Sequence, residues 1–146
     1  MIEVYFDGLC EPINPGGVGC YGYAIYQNEI TIKKGARAIG EGKGITNNVA
    51  EYSALKRAIE WIQEQGIEDE IVVKGDSMLV INQMKGIWQI KSETSRRYVS
   101  TIRELLKGKK VRFVWIPREQ NSEADMLSRV AYKRYLRKKI EDSSKQ

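Results

Sequence analysis

The sequence predicts an α/β fold: a five-stranded mixed sheet, three antiparallel strands then two parallel ones, with helices on both faces. Three observations lead there. The first 40 residues hold three strand-like segments with no helix between them. The remainder alternates strand-like runs with segments of helical period, the pattern that forces parallel pairing and helix crossovers. Finally, 146 residues with 42% hydrophobic and 29% charged content suit one globular domain with a real core, expected over 1–141.

The first strand is "IEVYFDG" (2–8), where Ile2, Val4 and Phe6 alternate with Glu3, Tyr5 and Asp7 and an Asp-Gly turn signal follows. A Gly/Pro-rich loop leads to "CYGYAIYQ" (20–27), which pairs with 28–39 as a hairpin about Gln27–Glu29. After the loop 40–48, Tyr52, Leu55, Ile59 and Ile62 share one face of a helix over 49–66 that Gly66 ends. The fourth strand is 70–77, ending near Asp76, and a short helix (78–86) and a connector (87–94) follow it. A helix over 95–108 stops at Gly108, a strand over 110–117 closes at Pro117, and a last helix covers 121–141. Residues 142–146 are expected to fray.

Composition excludes several chemistries. Histidine is absent, which removes Ser-His-Asp and Cys-His catalysis and imidazole-based zinc sites. Two cysteines, Cys10 and Cys20, make no disulfide framework and fit a reducing cytoplasm. No apolar run is long enough to span a membrane and no signal peptide is recognisable. A net charge of +5 fits a polyanionic partner. Acid–base or metal chemistry must then rest on carboxylates.

Four carboxylates stand out. Asp7 and Asp76 are expected at strand ends, Glu51 and Asp125 in the first turns of the first and last helices. Each has an ordinary structural reading: Asp7 starting a turn, Glu51 in a capping box with Asn48 as N-cap, Asp76 as an N-cap, Asp125 complementing a helix dipole. Together they would converge on one edge of the sheet, where open α/β sheets bind ligands. Four carboxylates there would repel unless hard divalent cations were bound, and two such ions about 4 Å apart are the usual apparatus of phosphodiester hydrolysis.

Five stretches, "YFDG" (5–8), "NPGG" (14–17), "TNNVAEYSAL" (46–55), "GDSMLVINQMKGIW" (75–88) and "WIPREQNSEADMLS" (115–128), resemble type 1 ribonuclease H in order and spacing. The resemblance covers nearly the whole chain. It implies a ribonuclease H-like fold and a magnesium-dependent endonuclease cutting the RNA strand of RNA–DNA hybrids, two ions with substrate bound, and manganese as an alternative ion. Asp7 would bridge the ions, Asp125 would complete the one that activates water, and Glu51 and Asp76 would hold the other. Asn14, Asn47 and Asn48 match positions that read 2′-hydroxyls, and Thr46 matches one that grips a phosphate of the DNA strand. A monomer in the cytoplasm, off the membrane, is expected.

Two departures from the family matter. The histidine that many members carry before the last aspartate is missing from "PREQNSE" (117–123), leaving Arg118 or Glu119 as substitutes, with Arg118 favoured as a charge stabiliser. The long basic insertion after the short helix is missing too. Substrate grip must come from elsewhere: Lys85, Lys91, Arg96 and Arg97 about Trp88, a stacking candidate, or Arg129, Lys133, Arg134, Arg137, Lys138 and Lys139 of the last helix. Rival readings are a DNA-recombining nuclease of the same superfamily, for which the chain lacks a separate DNA-binding module, and a binding domain without catalysis, against which all four carboxylates argue.

Overall fold

The computed structural model of the chain describes residues 1–145. In order the elements are β1 (Ile2–Glu11), β2 (Val18–Gln27), β3 (Ile30–Glu41), α1 (Asn47–Glu64), β4 (Ile71–Gly75), α2 (Met78–Lys85), α3 (Glu93–Leu105), β5 (Val111–Trp115), a 3-10 turn at Arg118–Gln120 and α4 (Ser122–Ser144). They form one sheet in the order β3-β2-β1-β4-β5. β1, β2 and β3 pair antiparallel, whereas β4 pairs parallel with β1 and with β5. The expected mixed sheet is therefore present.

One face of the sheet carries α1, α2 and α3. Ile2, Val4 and Phe6 of β1 pack there with Tyr52, Leu55, Ile59 and Ile62 of α1 and with Val99 and Ile102 of α3. The other face carries α4, whose Ala131 packs over Leu9, Val18 and Cys20. Two-residue periodicity in β1 thus sends alternate side chains to two separate cores. The β2–β3 hairpin turns at Asn28 and Glu29, both with positive φ (50 and 68), the geometry that matches strand twist in a two-residue turn.

Several boundaries differ from expectation, and one difference shapes the site. β1 does not stop at Asp7; it continues to Glu11, paired with β2 throughout. What stops is the β1–β4 ladder, whose last pair is Phe6 with Gly75. Asp7 is the first residue of β1 without a β4 neighbour, so its strand is rigid while one flank lies open. α1 starts at Asn47, its N-cap is Thr46 rather than Asn48, and Ser77 rather than Asp76 caps α2. α3 begins at Glu93 behind the cap Ser92. α4 runs to Ser144 rather than ending at 141, since no glycine or proline interrupts it there.

Candidate active site

The open flank beside Asp7 forms a cleft lined by Asp7, Glu51, Asp76, Asp125, Asn14, Asn47, Trp115, Arg118 and Arg129, among others. Two glycines let the helices reach it. A Cβ on Gly8 would lie 2.4 Å from the Glu51 backbone nitrogen, so α1 can seat its first turn directly on β1 only because residue 8 has no side chain. On the other face, a Cβ on Gly22, the residue paired with Asp7, would lie 2.4 Å from the Ala124 carbonyl oxygen. Glu51 and Asp125 are thereby delivered from opposite faces of the sheet to the same strand position.

Asp7, Glu51 and Asp76 each bring one carboxylate oxygen within 4.8 Å of the others. Asp7 and Glu51 are each only 7% exposed. Burial, then the Asp76 and Asp125 charges, push the Asp7 carboxyl up to about 7, although the Gly8 N–H opposes the shift. Burial, with Asp7 and Asp76 behind it, raises Glu51 well above the usual carboxylate range. Burial raises Asp76 as well, against Asn121 and Arg118, which favour its ionised form. The Glu51 Oε2 is buried with no hydrogen-bond partner. An orphaned carboxylate oxygen beside two crowded carboxylates is a donor set suited to a hard divalent cation, whose charge would reverse all three shifts.

The expected fourth ligand is placed differently. Asp125 lines the cleft but is outside the tight group of three; its Oδ1 accepts from Arg129 Nε at 3.2 Å. Asn14 and Asn47 clasp each other at the cleft rim: Asn14 Nδ2 donates to Asn47 Oδ1 (2.8 Å) and the Asn47 N–H to Asn14 Oδ1 (3.2 Å). Thr46, Asn48 and Trp88 are not among the residues lining the cleft. Thr46 Oγ1 caps α1 by accepting from Val49 N at 3.0 Å, and Trp88 is exposed after α2. Arg118 reaches the cleft from the 3-10 turn, while Glu119 does not.

Two residues of the site were missed by sequence reasoning. Trp115, paired with Gly75 at the end of β5, donates its indole N–H to the Asp76 carbonyl (3.1 Å). An aromatic at the last position of a strand ending on the ligand-binding edge was the available signal. Asn121, at the expected start of the last helix, is fully buried and makes no side-chain cap; its Nδ2 donates instead to the Phe6 carbonyl at 2.9 Å. It also receives, on its own carbonyl, the N–H of Asp125 (3.1 Å). Asn121 therefore joins β1 just before Asp7 to the first turn of α4, and nothing in its local sequence distinguishes that role from capping.

A reverse transcriptase-like family model matches residues 19–131. The chain is 34% identical over 131 residues to ribonuclease HI of Halobacterium salinarum, covering 89% of this chain and 63% of the relative. It is 33% identical over 131 residues to the uncharacterised protein YpeP of Bacillus subtilis, covering 88% of this chain and 57% of that one. The chain thus spans roughly three fifths of these curated relatives. Among solved structures it matches LC11-RNase H1 in complex with RNA/DNA hybrid at TM-score 0.84 and 34% identity, covering 93% of this chain and 99% of the other. With a family model across most of its length and a solved relative matched end to end on the same mixed sheet, the chain belongs to the type 1 ribonuclease H family.

Proposed function

We propose that this chain hydrolyses the RNA strand of RNA–DNA hybrids with divalent metal held by Asp7, Glu51, Asp76 and Asp125. The observation that carries the reading is the convergence of three carboxylates, one with an orphaned buried oxygen, on the open flank of β1. Bound there as an ion pair, magnesium, or manganese in its place, would supply an activated water and neutralise charge developing on the cleaved phosphate. The rest falls to the protein. Asp7, fixed between β2 and the end of the β4 ladder, is the rigid anchor. Glu51 and Asp76 complete the cradle, and Asp125 joins it by leaving Arg129. Arg118, the cation of the 3-10 turn, faces the same cleft and stabilises negative charge on the scissile phosphate.

Substrate choice follows from the rim. Asn14 and Asn47, locked to each other, offer amide groups to a 2′-hydroxyl, which DNA lacks. Asn48 belongs to the same turn. The Thr46 hydroxyl, accepting in the cap, still has its proton to donate to a phosphate oxygen, and exposed Trp88 serves as a stacking surface farther out. Residues 1–141 act as one catalytic domain, as a monomer, in the cytoplasm; no helix among the described residues is long and apolar enough to cross a membrane.

The test is cleavage of end-labelled RNA–DNA hybrid, RNA duplex and DNA duplex side by side, with and without magnesium. Cuts in the RNA strand of the hybrid only, abolished by chelation, are expected. Cleavage of DNA duplex, or none of any substrate with metal present, would overturn the reading.

A further inference from the structure

We propose that the row Arg129–Lys133–Arg137 on α4 is a phosphate track that carries one strand of the nucleic acid away from the carboxylate cleft. The proposal rests on the hydrolase reading above and extends it to how the substrate is held. Four-residue spacing puts Asp125, Arg129, Lys133 and Arg137 along one winding line of the helix. The line starts inside the cleft, where Asp125 and Arg129 are both lining residues. It then drifts outward, opposite the packed side formed by Ala124, Ser128 and Ala131. Lys133 and Arg137 are exposed, and among the described residues neither forms an ion pair, in contrast to Arg129 with Asp125 and Lys139 with Glu41.

Ordinary helix chemistry does not account for the row. Cations complement a helix dipole in the last turn, but the last turn of α4 holds no basic residue. Like charges four apart destabilise a helix, yet 129/133 and 133/137 are both such pairs, and 134/138 is a third. A helix that keeps this arrangement presents positive charge for something outside itself. From Asp125 to Arg137 the helix rises about 18 Å, which is about five phosphates along one strand at ~3.4 Å each. A polyanion entering the cleft and following the line would meet a cation at each turn. Arg129 is paired with Asp125, whereas Lys133 and Arg137 beyond it are unpaired among the described residues and extend the line away from the cleft.

Because phosphate contacts release counterions, the salt dependence of binding counts them. Binding is measured with the full chain carrying Asp7→Asn, in magnesium, so that the hybrid stays intact across a salt titration. Adding Lys133→Gln and Arg137→Gln is expected to lower the slope of log K against log salt by about 1.8 and to weaken binding at least ~10-fold at low salt. In the otherwise wild-type chain the pair should raise KM and leave kcat at saturating hybrid unchanged. Lys107→Gln, on the far side of the sheet behind α3, should leave the slope as it was. The double variant should melt no lower than its parent, since a repulsive pair is removed; if it does melt lower, each single variant should still lower the slope by about 0.9. An unchanged slope and affinity would overturn the track while leaving the hydrolase reading intact. A wild-type chain that neither cleaves nor binds hybrid would overturn that reading, and the track with it.

Discussion

The two helix starts that flank Asp7 solve the same delivery problem in opposite ways. α1 is capped by Thr46, seated on Gly8, and presents Glu51 buried, with Oε2 unpartnered. α4 has no side-chain cap, is seated on Gly22, and presents Asp125 half-buried and already neutralised by Arg129 on its own helix. The difference is one of where charge is left uncompensated. On the α1 side, packing holds a carboxylate against its electrostatic preference, which is the pre-organisation a cation site needs. On the α4 side the carboxylate waits in an ion pair, and the order of the helix start is maintained through Asn121, whose amide is given to β1 rather than to α4.

Asp7, where the two deliveries meet, gives the largest effect. Asp7→Asn should lower turnover on hybrid at least ~1,000-fold, roughly 4 kcal/mol, while stabilising the metal-free protein. The sign follows from Asp7 being raised to about 7 by burial and its neighbours. The folded state holds that proton more tightly than the unfolded chain does. Its contribution is complete below the ordinary value of 3.8 and is lost as pH rises through about 7. Metal-free wild type should therefore lose melting temperature between pH ~4 and ~7, with a ceiling of about 4 kcal/mol, and Asp7→Asn should flatten that slope. Magnesium affinity, measured by calorimetry, should rise over the same interval because protons compete for the ligand. A slope unchanged in Asp7→Asn would remove Asp7 as its source.

Next comes the cap contrast. Asn121→Ala leaves the Phe6 carbonyl buried without its donor and opens a cavity, and should cost about 2–3 kcal/mol in denaturant unfolding. Thr46→Ala removes an ordinary cap and should cost about 1 kcal/mol. Equal losses would mean that Asn121 is no more than a helix-start residue.

The charge contrast is tested by Glu51→Gln against Asp125→Asn in metal-free protein at pH ~8. Glu51→Gln should gain about 1 kcal/mol, a melting temperature higher by roughly 4 °C, since burial and the neighbouring Asp7 and Asp76 oppose the ionised carboxylate and an amide escapes that penalty. Asp125→Asn should gain nothing, because it leaves Arg129 unpaired. Equal gains in both variants would erase the distinction between the two sides.

Much of this was legible in the residues. Alternation in 2–8, helical period in 49–66 and the strand–helix alternation after residue 70 specify the mixed sheet and bring the four carboxylates to one edge. What was not legible depended on partners far away in sequence. Asp7-Gly8 reads as a turn because that dipeptide is locally a turn former. It stays in β1 because β2 keeps pairing it and because Gly8 is needed under α1. Asn48 is the better cap by type, yet the helix is capped earlier, by Thr46. The Arg129 ion pair, which partners Asp125 where the other three carboxylates form no ion pair among the described residues, lies in a spacing that every helix offers.

The smallest effect separates Arg118 from Glu119, neighbours in one 3-10 turn. The turn is fixed at its ends: the Gln120 N–H donates to the Pro117 carbonyl (2.9 Å) and the Asn121 N–H to the Arg118 carbonyl (3.0 Å). Of the pair, only Arg118 lines the cleft, and its charge already favours ionised Asp76. On the proposed reading, a guanidinium there would stabilise phosphate charge that grows as the bond breaks, whereas a carboxylate would add to the repulsion among Asp7, Glu51 and Asp76. Arg118 cannot supply a proton at any working pH, so its contribution should be electrostatic and independent of pH. At saturating hybrid and magnesium, Arg118→Ala should lower kcat about 10-fold, or ~1.4 kcal/mol, equally at pH ~6.5 and ~8.5. Arg118→Lys should recover part of the loss, since a point charge replaces the planar fork. Glu119→Ala should stay within about twofold of wild type. A larger loss in Glu119→Ala, growing with pH, would transfer the role to a proton carrier on the α4 side of the cleft.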